Sequence, residues 1–397
     1  MRRIPSSALA TRRRLWLLGS LAGCFILWPA LYLRWANAPP PPLPPAPAEP
    51  RENGYPALVN AALGLTGTMR EVPLESIDRV EIAVLRRELR RTAADAPLFE
   101  AMRQALELEC VRPAVVDPIR EGNPELARFR RAATRWLAEA RVAGADGDAD
   151  AAVAHLLDVL ALASRIGNGS DGIGNGVSST LTREAVRGAQ SVIPRLSPMQ
   201  AQRALARLRK LEAQYPTSLQ ILAVEERQAL LSARITFRDQ IGLGWIEQAP
   251  RWFRRAYFLV YPKPRTYRLI TEHQARLREG AIGPWGPEAD PRSGDLLADI
   301  CNGFYSEGQV RARDAYLALL LAALTHQAGL PLAGERLPRD PFSDGPIRVR
   351  RAPDGLRLYS VGPDGVDDGG EPQRTPFPYA ISPGDIVLRL RLRARPK

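Results

Sequence analysis

Acidic side chains and glycines are concentrated in two predicted loops near the C-terminus. The first loop carries Asp364, Asp367 and Asp368, and the second carries Asp385. Glycine permits tight backbone turns, and carboxylate and carbonyl oxygens are the ligands that Ca²⁺ prefers. The spacing differs from that of an EF-hand, because Thr375 stands where the bidentate glutamate would be required. The sequence therefore predicts a Ca²⁺ site of another kind.

Two further interpretations explain the same loops without a metal ion. Aspartate and glycine are ordinary turn residues. Salt bridges could also neutralise the carboxylates, since the surrounding sequence contains the arginines Arg348, Arg350, Arg351, Arg357 and Arg374. The residues alone leave these interpretations open.

The order of three short motifs in this region resembles the C-terminal part of the type II secretion major pseudopilin. The motifs are LPRDPF from Leu337, LYSVGPDGVDDGG from Leu358 and GDIV from Gly384. The resemblance implies that Asp364 and Asp385 are side-chain ligands of a structural Ca²⁺, with the other two aspartates assisting, and it implies a link to secretion. The layout of the whole chain resembles uncharacterised bacterial envelope proteins, from which no activity follows.

Other patterns that can mark chemistry are less specific. The segment Gly167–Gly172 spells GxGxxG, but the dinucleotide fingerprint needs a preceding strand, and here Gly167 is predicted to end a helix. The histidines His155, His273 and His326 fall on separate predicted helices without zinc-binding spacing. We therefore expect a scaffold or binding protein. The alternative is an envelope hydrolase, which would need a carboxylate or histidine pair in a cleft of the helical region.

An apolar segment near the N-terminus predicts a membrane anchor. Leu15–Leu33 contains 19 residues without a charge, which as a helix span about 28 Å and match the hydrocarbon core. Arg12, Arg13 and Arg14 precede the segment, and only Arg34 follows closely. This asymmetry places the N-terminus in the cytoplasm and the rest of the chain outside. We expect a single-pass protein of the bacterial inner membrane, with the lipid bilayer as one partner.

Two processed forms are alternatives to the uncleaved anchor. Ala36–Ala38 has the small residues of a signal-peptidase site, and Leu21–Cys24 resembles a bacterial lipobox, after which Cys24 would be lipidated. All three forms place the bulk of the chain outside the cytoplasm.

Residues 34–54 are predicted to form a proline-rich linker. Pro39–Pro50 has eight prolines in twelve residues, which favours an extended polyproline II spacer of about 37 Å. A ligand for the aromatic groove of a partner is the other interpretation.

The remaining chain predicts a mainly α fold with a small antiparallel β tail. Residues 55–334 have helical periodicity. The predicted helices include one capped by Asp95 and others over about Val177–Ile193, Arg292–Phe304 and Glu307–Gln327. The pair Arg130–Val142 and Asp148–Ser164 resembles a tetratricopeptide-type hairpin, so the domain is predicted to be helical and repeat-like. From 335 to 397, alternating apolar and polar residues predict three strands, which begin at Ile347, Leu356 and Ile386.

Composition argues against nucleic acid as a partner. The net charge is +12 and the pI about 10.1, which normally suggests such binding. However, lysine occurs only at Lys210, Lys263 and Lys397, and arginine is spread along the whole chain. A protein of the envelope is the expected partner. Cys110 and Cys301 could form a disulfide in that compartment, or each could be a free, buried thiol.

Overall fold

The computed structural model describes most of the chain beyond the N-terminus. The described residues are 28–36, 38–118, 121–239, 250, 263–285, 306–332, 337–373 and 384–391, apart from short gaps at 67–68, 70–71, 73 and 354. Leu15–Leu27 of the predicted anchor, which includes Cys24, lies outside this part. The predicted helix over Arg292–Phe304, which includes Cys301, and Arg374 also lie outside it.

Eleven α-helices form the described body, as expected for a mainly α protein. In chain order they are α1 (Trp28–Ala36), α2 (Tyr55–Leu63), α3 (Ile82–Arg91), α4 (Ala96–Glu107), α5 (Pro124–Ala145), α6 (Ala149–Gly167), α7 (Gly172–Val192), α8 (Pro198–Glu212), α9 (Ser218–Asp239), α10 (Lys263–Ile282) and α11 (Glu307–Gln327).

Side-chain caps begin five of these helices. The capping residues each accept a hydrogen bond from the backbone N–H three residues later, which satisfies a donor that the helix itself leaves unpaired; they are Asp148, Asp171, Ser197, Thr217 and Ser306. Helix α4 begins at Ala96, directly after the predicted cap residue Asp95. The Asp95 side chain makes no capping bond; its carboxylate accepts a hydrogen bond from the Thr66 hydroxyl at 2.9 Å.

Helices α5 and α6 pack as a helical hairpin, and Trp136 of α5 is fully buried in the core. Helix α7 packs on α6, and α11 packs against both α7 and α8. Between Val310 and Leu324, α11 buries residues on every side, which is the pattern of a helix enclosed by a core. Helices α9 and α10 pack on each other around a second, smaller apolar cluster.

The C-terminal tail forms a three-stranded antiparallel sheet, as predicted. Its strands, β1 (Arg348–Ala352), β2 (Gly355–Ser360) and β3 (Ile386–Arg391), pair in sequence order. The sheet packs on α7 and α11, and Leu358 and Leu388 belong to the same buried cluster as the helices. The sheet and the helices therefore share one hydrophobic core.

Part of the predicted proline-rich spacer lies against the helical body. The Pro44 carbonyl accepts a hydrogen bond of 2.7 Å from Arg227, and the Pro41 carbonyl accepts one from Arg234. Both arginines belong to α9. Leu43, which lies between Pro41 and Pro44 in the chain, packs on a small apolar cluster that α9 and α10 share. Proline has no N–H but keeps its carbonyl acceptor, so arginine donors suit such a segment.

The predicted membrane span overlaps the described residues only at Trp28–Leu33, the first part of α1. Within the portion of the chain that the structure describes, no helix is both long and apolar enough to cross a membrane. The anchor stays a prediction.

Candidate functional site

A group of charged side chains lies in the cleft between α4, α6 and α8. Asp158 of α6 is buried and accepts hydrogen bonds from two arginines on the neighbouring helices. The Arg103 Nε lies 2.9 Å from one carboxylate oxygen, and Arg207 lies 2.7 Å from the other. The aspartate thus fixes one guanidinium from each side of the cleft. A lone aspartate in the apolar run of α6 was the available sequence signal, and the sequence analysis missed it.

The cleft continues past this group as a cavity of about 370 Å³. Two more cations line it, Arg165 of α6 and Lys210 of α8. Arg165 is only 4% exposed. It donates one hydrogen bond of 3.1 Å to the Leu106 carbonyl oxygen, and its Nε has no partner among the described residues.

His155 and Glu139 form a pair at the other end of the same group. The Nδ1 atom of His155 lies 3.4 Å from a Glu139 carboxylate oxygen, and Arg135 holds the other oxygen at 3.0 Å. Burial lowers the pKa of His155, and the negative charge of Glu139 partly opposes that effect. Burial therefore favours the neutral form of the imidazole.

The hairpin prediction contained the signal for this pair. Glu139 and His155 stand eight positions before and eight positions after Gly147 in the α5–α6 turn. Residues at equal distances from the turn of an antiparallel hairpin lie opposite one another, so the two side chains could have been paired from the sequence. Spacing between the histidines alone does not indicate this pair.

The GxGxxG segment connects two helices, as the sequence analysis expected. Gly167 is the last residue of α6, and the carboxylate of Asp171 caps α7. Gly169 has a φ of +76°, and a Cβ there would lie 2.8 Å from the Arg112 carbonyl oxygen. The glycine thus serves close backbone approach within a helix connection.

Carboxylates of the tail close the C-terminal loops through backbone hydrogen bonds. Asp364 accepts from the N–H groups of Gly384 at 3.1 Å and Val366 at 3.2 Å. Asp385 accepts from Gly370 at 2.6 Å and from Asp368 at 3.4 Å. The structure therefore brings together the two loops that carry the predicted ligands.

The other predicted ligands differ in their contacts. Asp367 accepts from the Gly369 N–H at 2.9 Å and pairs with Arg348 at 2.7 Å. The Asp368 side chain is exposed. Asp385 is buried close to both, and desolvation, together with their negative charges, raises its pKa to about 6.

Asp340 joins these loops to the sheet, a role that the sequence analysis did not assign. It is 1% exposed and accepts from the Ser360 hydroxyl at 2.6 Å and from the backbone N–H groups of Phe342 and Val361, both at 3.0 Å. Arg348 approaches it at 3.4 Å, so this arginine lies between Asp340 and Asp367. The aspartate of the LPRDPF motif thus has a structural role.

These contacts test the fit of a Ca²⁺ ion. The oxygens that would coordinate it on Asp364, Asp385 and Asp367 already accept hydrogen bonds from N–H groups, and Asp367 has an arginine partner. In the described parts of the chain, no three or more His, Cys, Asp or Glu side chains form a group that could hold a metal ion. The observed contacts correspond to the turn and salt-bridge interpretations. The Ca²⁺ loop stays a prediction.

Cys110 is buried next to the end of α4. Its thiol donates to the Ala105 carbonyl oxygen at 3.4 Å, and burial raises its pKa to about 11. Cys301 lies outside the described residues, so the disulfide also stays a prediction.

Comparisons with known protein families, with curated proteins and with solved structures return no match. The fold and the sites above therefore define the class of the protein by themselves: a mainly α body that carries a three-stranded antiparallel sheet on the same core.

Proposed function

We propose that the protein is a membrane-anchored scaffold or binding protein that holds its helical body outside the cytoplasm. The sequence of Leu15–Leu33 and the arginines before it support the location. The resemblance of the tail to the pseudopilin calcium-loop region supports a secretion-related role with a structural Ca²⁺ in that tail.

The docking of the proline-rich segment on α9 is the observation that carries this proposal. Pro41 follows the end of α1, at Ala36, by only five positions, and five fully extended residues span at most about 18 Å. A free spacer would let the body move widely about its anchor. A docked segment would hold one face of the body close to an anchor that continues into α1, which supports a scaffold role.

Fractionation of the native chain tests the anchor. The full-length protein should remain with the membranes after a high-salt wash and after an alkaline wash, because an apolar helix holds it in the bilayer. A variant that lacks residues 1–38 should appear in the soluble fraction of the same preparation. A full-length chain that either wash releases contradicts the proposal.

A catalytic role in the helical body is the second candidate, and the His155–Glu139 pair is the observation that favours it. A neutral imidazole held by a carboxylate can act as a general base. An envelope hydrolase should cleave members of a panel of ester, phosphoester and peptide substrates, and His155→Gln should abolish the activity. His326→Gln, on α11, is the control. If the wild-type chain is inactive on the whole panel, the scaffold role is favoured.

A further inference from the structure

We propose that the cleft between α4, α6 and α8 is a binding site for a phosphate monoester, held by Arg165, Arg207 and Lys210. The site goes beyond the proposed function and depends on a different part of the chain from the tail and the anchor. Two sources share this chemistry: a soluble phosphate ester and a phosphomonoester lipid headgroup.

The first argument is the position of Arg165. A charged group that leaves water needs compensation from a partner of opposite charge or from several hydrogen bonds. The Arg165 guanidinium is nine-tenths buried or more, yet its one hydrogen-bond acceptor is the neutral Leu106 carbonyl. Its Nε points at no acceptor among the described residues, and no described carboxylate lies within ion-pair distance. An anionic ligand would supply the missing partner.

The second argument is the charge balance of the walls. The cavity is lined by four cations and two anions, namely Arg103, Arg165, Arg207, Lys210, Glu107 and Asp158. Asp158 contacts two of the arginines, Arg103 and Arg207. Glu100 and Glu139, outside the cavity wall, also lie within ion-pair distance of Arg103. The walls therefore carry a net charge of 4 − 2 = +2, which a phosphate monoester, with up to two negative charges, would neutralise.

The third argument is the shape of the cavity and the type of donors. A volume of about 370 Å³ fits a small ligand, because ligand sites commonly enclose about 300–1,000 Å³. Guanidinium groups donate paired hydrogen bonds that match phosphate oxygens, and a lysine adds a mobile point charge. Arg165 lies at the buried end and Lys210 at the exposed rim. Apolar wall atoms of Leu106, Ala161 and Leu211 can contact the carbon part of the ester.

Calorimetric titration of the purified full-length chain in detergent, in a buffer without phosphate, tests the site. Glycerol 3-phosphate should bind, and inorganic phosphate should bind more weakly because it has no carbon part. Sodium chloride at the same ionic strength should give no heat of binding. Lys210→Gln should weaken the binding of glycerol 3-phosphate about tenfold, which corresponds to about 1.4 kcal/mol.

Arg165→Gln should abolish the binding, and Lys210→Gln keeps the test valid if the Arg165 variant does not fold. The matched control is Arg203→Gln on the same helix as Lys210. Arg203 is exposed, pairs with Asp150 and does not line the cavity, so its variant should bind within twofold of the wild type. Absence of binding by the wild type, or an equal loss in the Lys210 and Arg203 variants, overturns the proposal.

Vesicles distinguish the two sources of the phosphate. Binding to vesicles that contain phosphatidic acid, with the same loss in Lys210→Gln, would assign a lipid headgroup. Binding of glycerol 3-phosphate together with vesicle binding that does not respond to Lys210→Gln would assign a soluble ester. Either result supports the class of ligand.

Discussion

Replacing Asp340 with alanine should lower the free energy of unfolding, because Asp340 connects the C-terminal loops to the sheet. The Asp340 carboxylate is the acceptor for the buried N–H groups of Phe342 and Val361 and for the buried Ser360 hydroxyl. Alanine removes all three acceptor contacts at once. The Ser360 hydroxyl can rotate toward another acceptor, but the two backbone donors cannot.

The magnitude follows from those two donors. A buried donor that loses its acceptor costs about 1–3 kcal/mol, so Asp340→Ala should lower the free energy of unfolding by roughly 3 kcal/mol. At about 2.1 cal/mol/K per residue, unfolding of 397 residues has an entropy of about 0.8 kcal/mol/K, so such a loss lowers the melting temperature by about 4 °C. Chemical denaturation followed by circular dichroism measures the free energy, and calorimetry measures the melting temperature.

Asp344→Ala is the matched control in the same loop. Its side chain is 92% exposed and lies 3.8 Å from Arg339, which is also exposed, so the change should cost less than about 0.5 kcal/mol. If Asp340→Ala costs less than about 1 kcal/mol, or no more than the control, the structural role derived for Asp340 is refuted.

Three other predictions concern the tail, the charged cleft and the linker. Millimolar Ca²⁺ should raise the melting temperature of the full chain relative to a chelator, because binding at 100 times the Kd adds about 2.7 kcal/mol to the free energy of unfolding. An unchanged melting temperature excludes the Ca²⁺ loop, and so does a shift that survives Asp364→Ala together with Asp385→Ala. Burial lowers the pKa of His155 below 6.5, so as the pH falls the imidazole is protonated in the unfolded chain before it is protonated in the folded chain. The free energy of unfolding should therefore decrease as the pH drops below 6.5. His155→Gln should flatten this part of the pH profile, and an identical slope in both proteins contradicts the lowered pKa of His155. Leu43→Ser should release the proline-rich segment from α9 and speed its cleavage in limited proteolysis, whereas the exposed substitution Glu49→Ala should not; equal rates refute the docking.

Local signals in the sequence predicted many helix boundaries. The limits of α11 were predicted correctly, because Ser306 is a strong capping residue and an apolar run follows it. Helix α7 begins at Gly172, five residues before the predicted start at Val177. The glycines there made the segment resemble a loop, but close packing requires them: a Cβ at Gly174 would lie 2.5 Å from the Ser170 Cβ. The cap at Asp171 and a tertiary hydrogen bond of 2.7 Å from the Gly172 N–H to the Glu225 carboxylate stabilise the start of the helix despite the low helix propensity of glycine.

The charged cleft could be predicted only in part. The pairing of Glu139 with His155 follows from one hairpin and its turn. The contacts of Asp158 with Arg103 and Arg207 depend on how α4 and α8 dock on α6, and no local pattern specifies that arrangement. The same limit applies to the tail: the sequence located its strands and loops, but the direction of each aspartate depends on which backbone N–H groups come within reach.

The location of the body is the central claim, and a pair of reporters fused after Lys397 tests it most directly. A reporter that is active only outside the cytoplasm should be active in this fusion, and a reporter that is active only in the cytoplasm should be silent. Both fusions should depend on Leu15–Leu33, so deletion of that segment should reverse the two signals. Activity of only the cytoplasmic reporter in the full-length fusion would contradict the account.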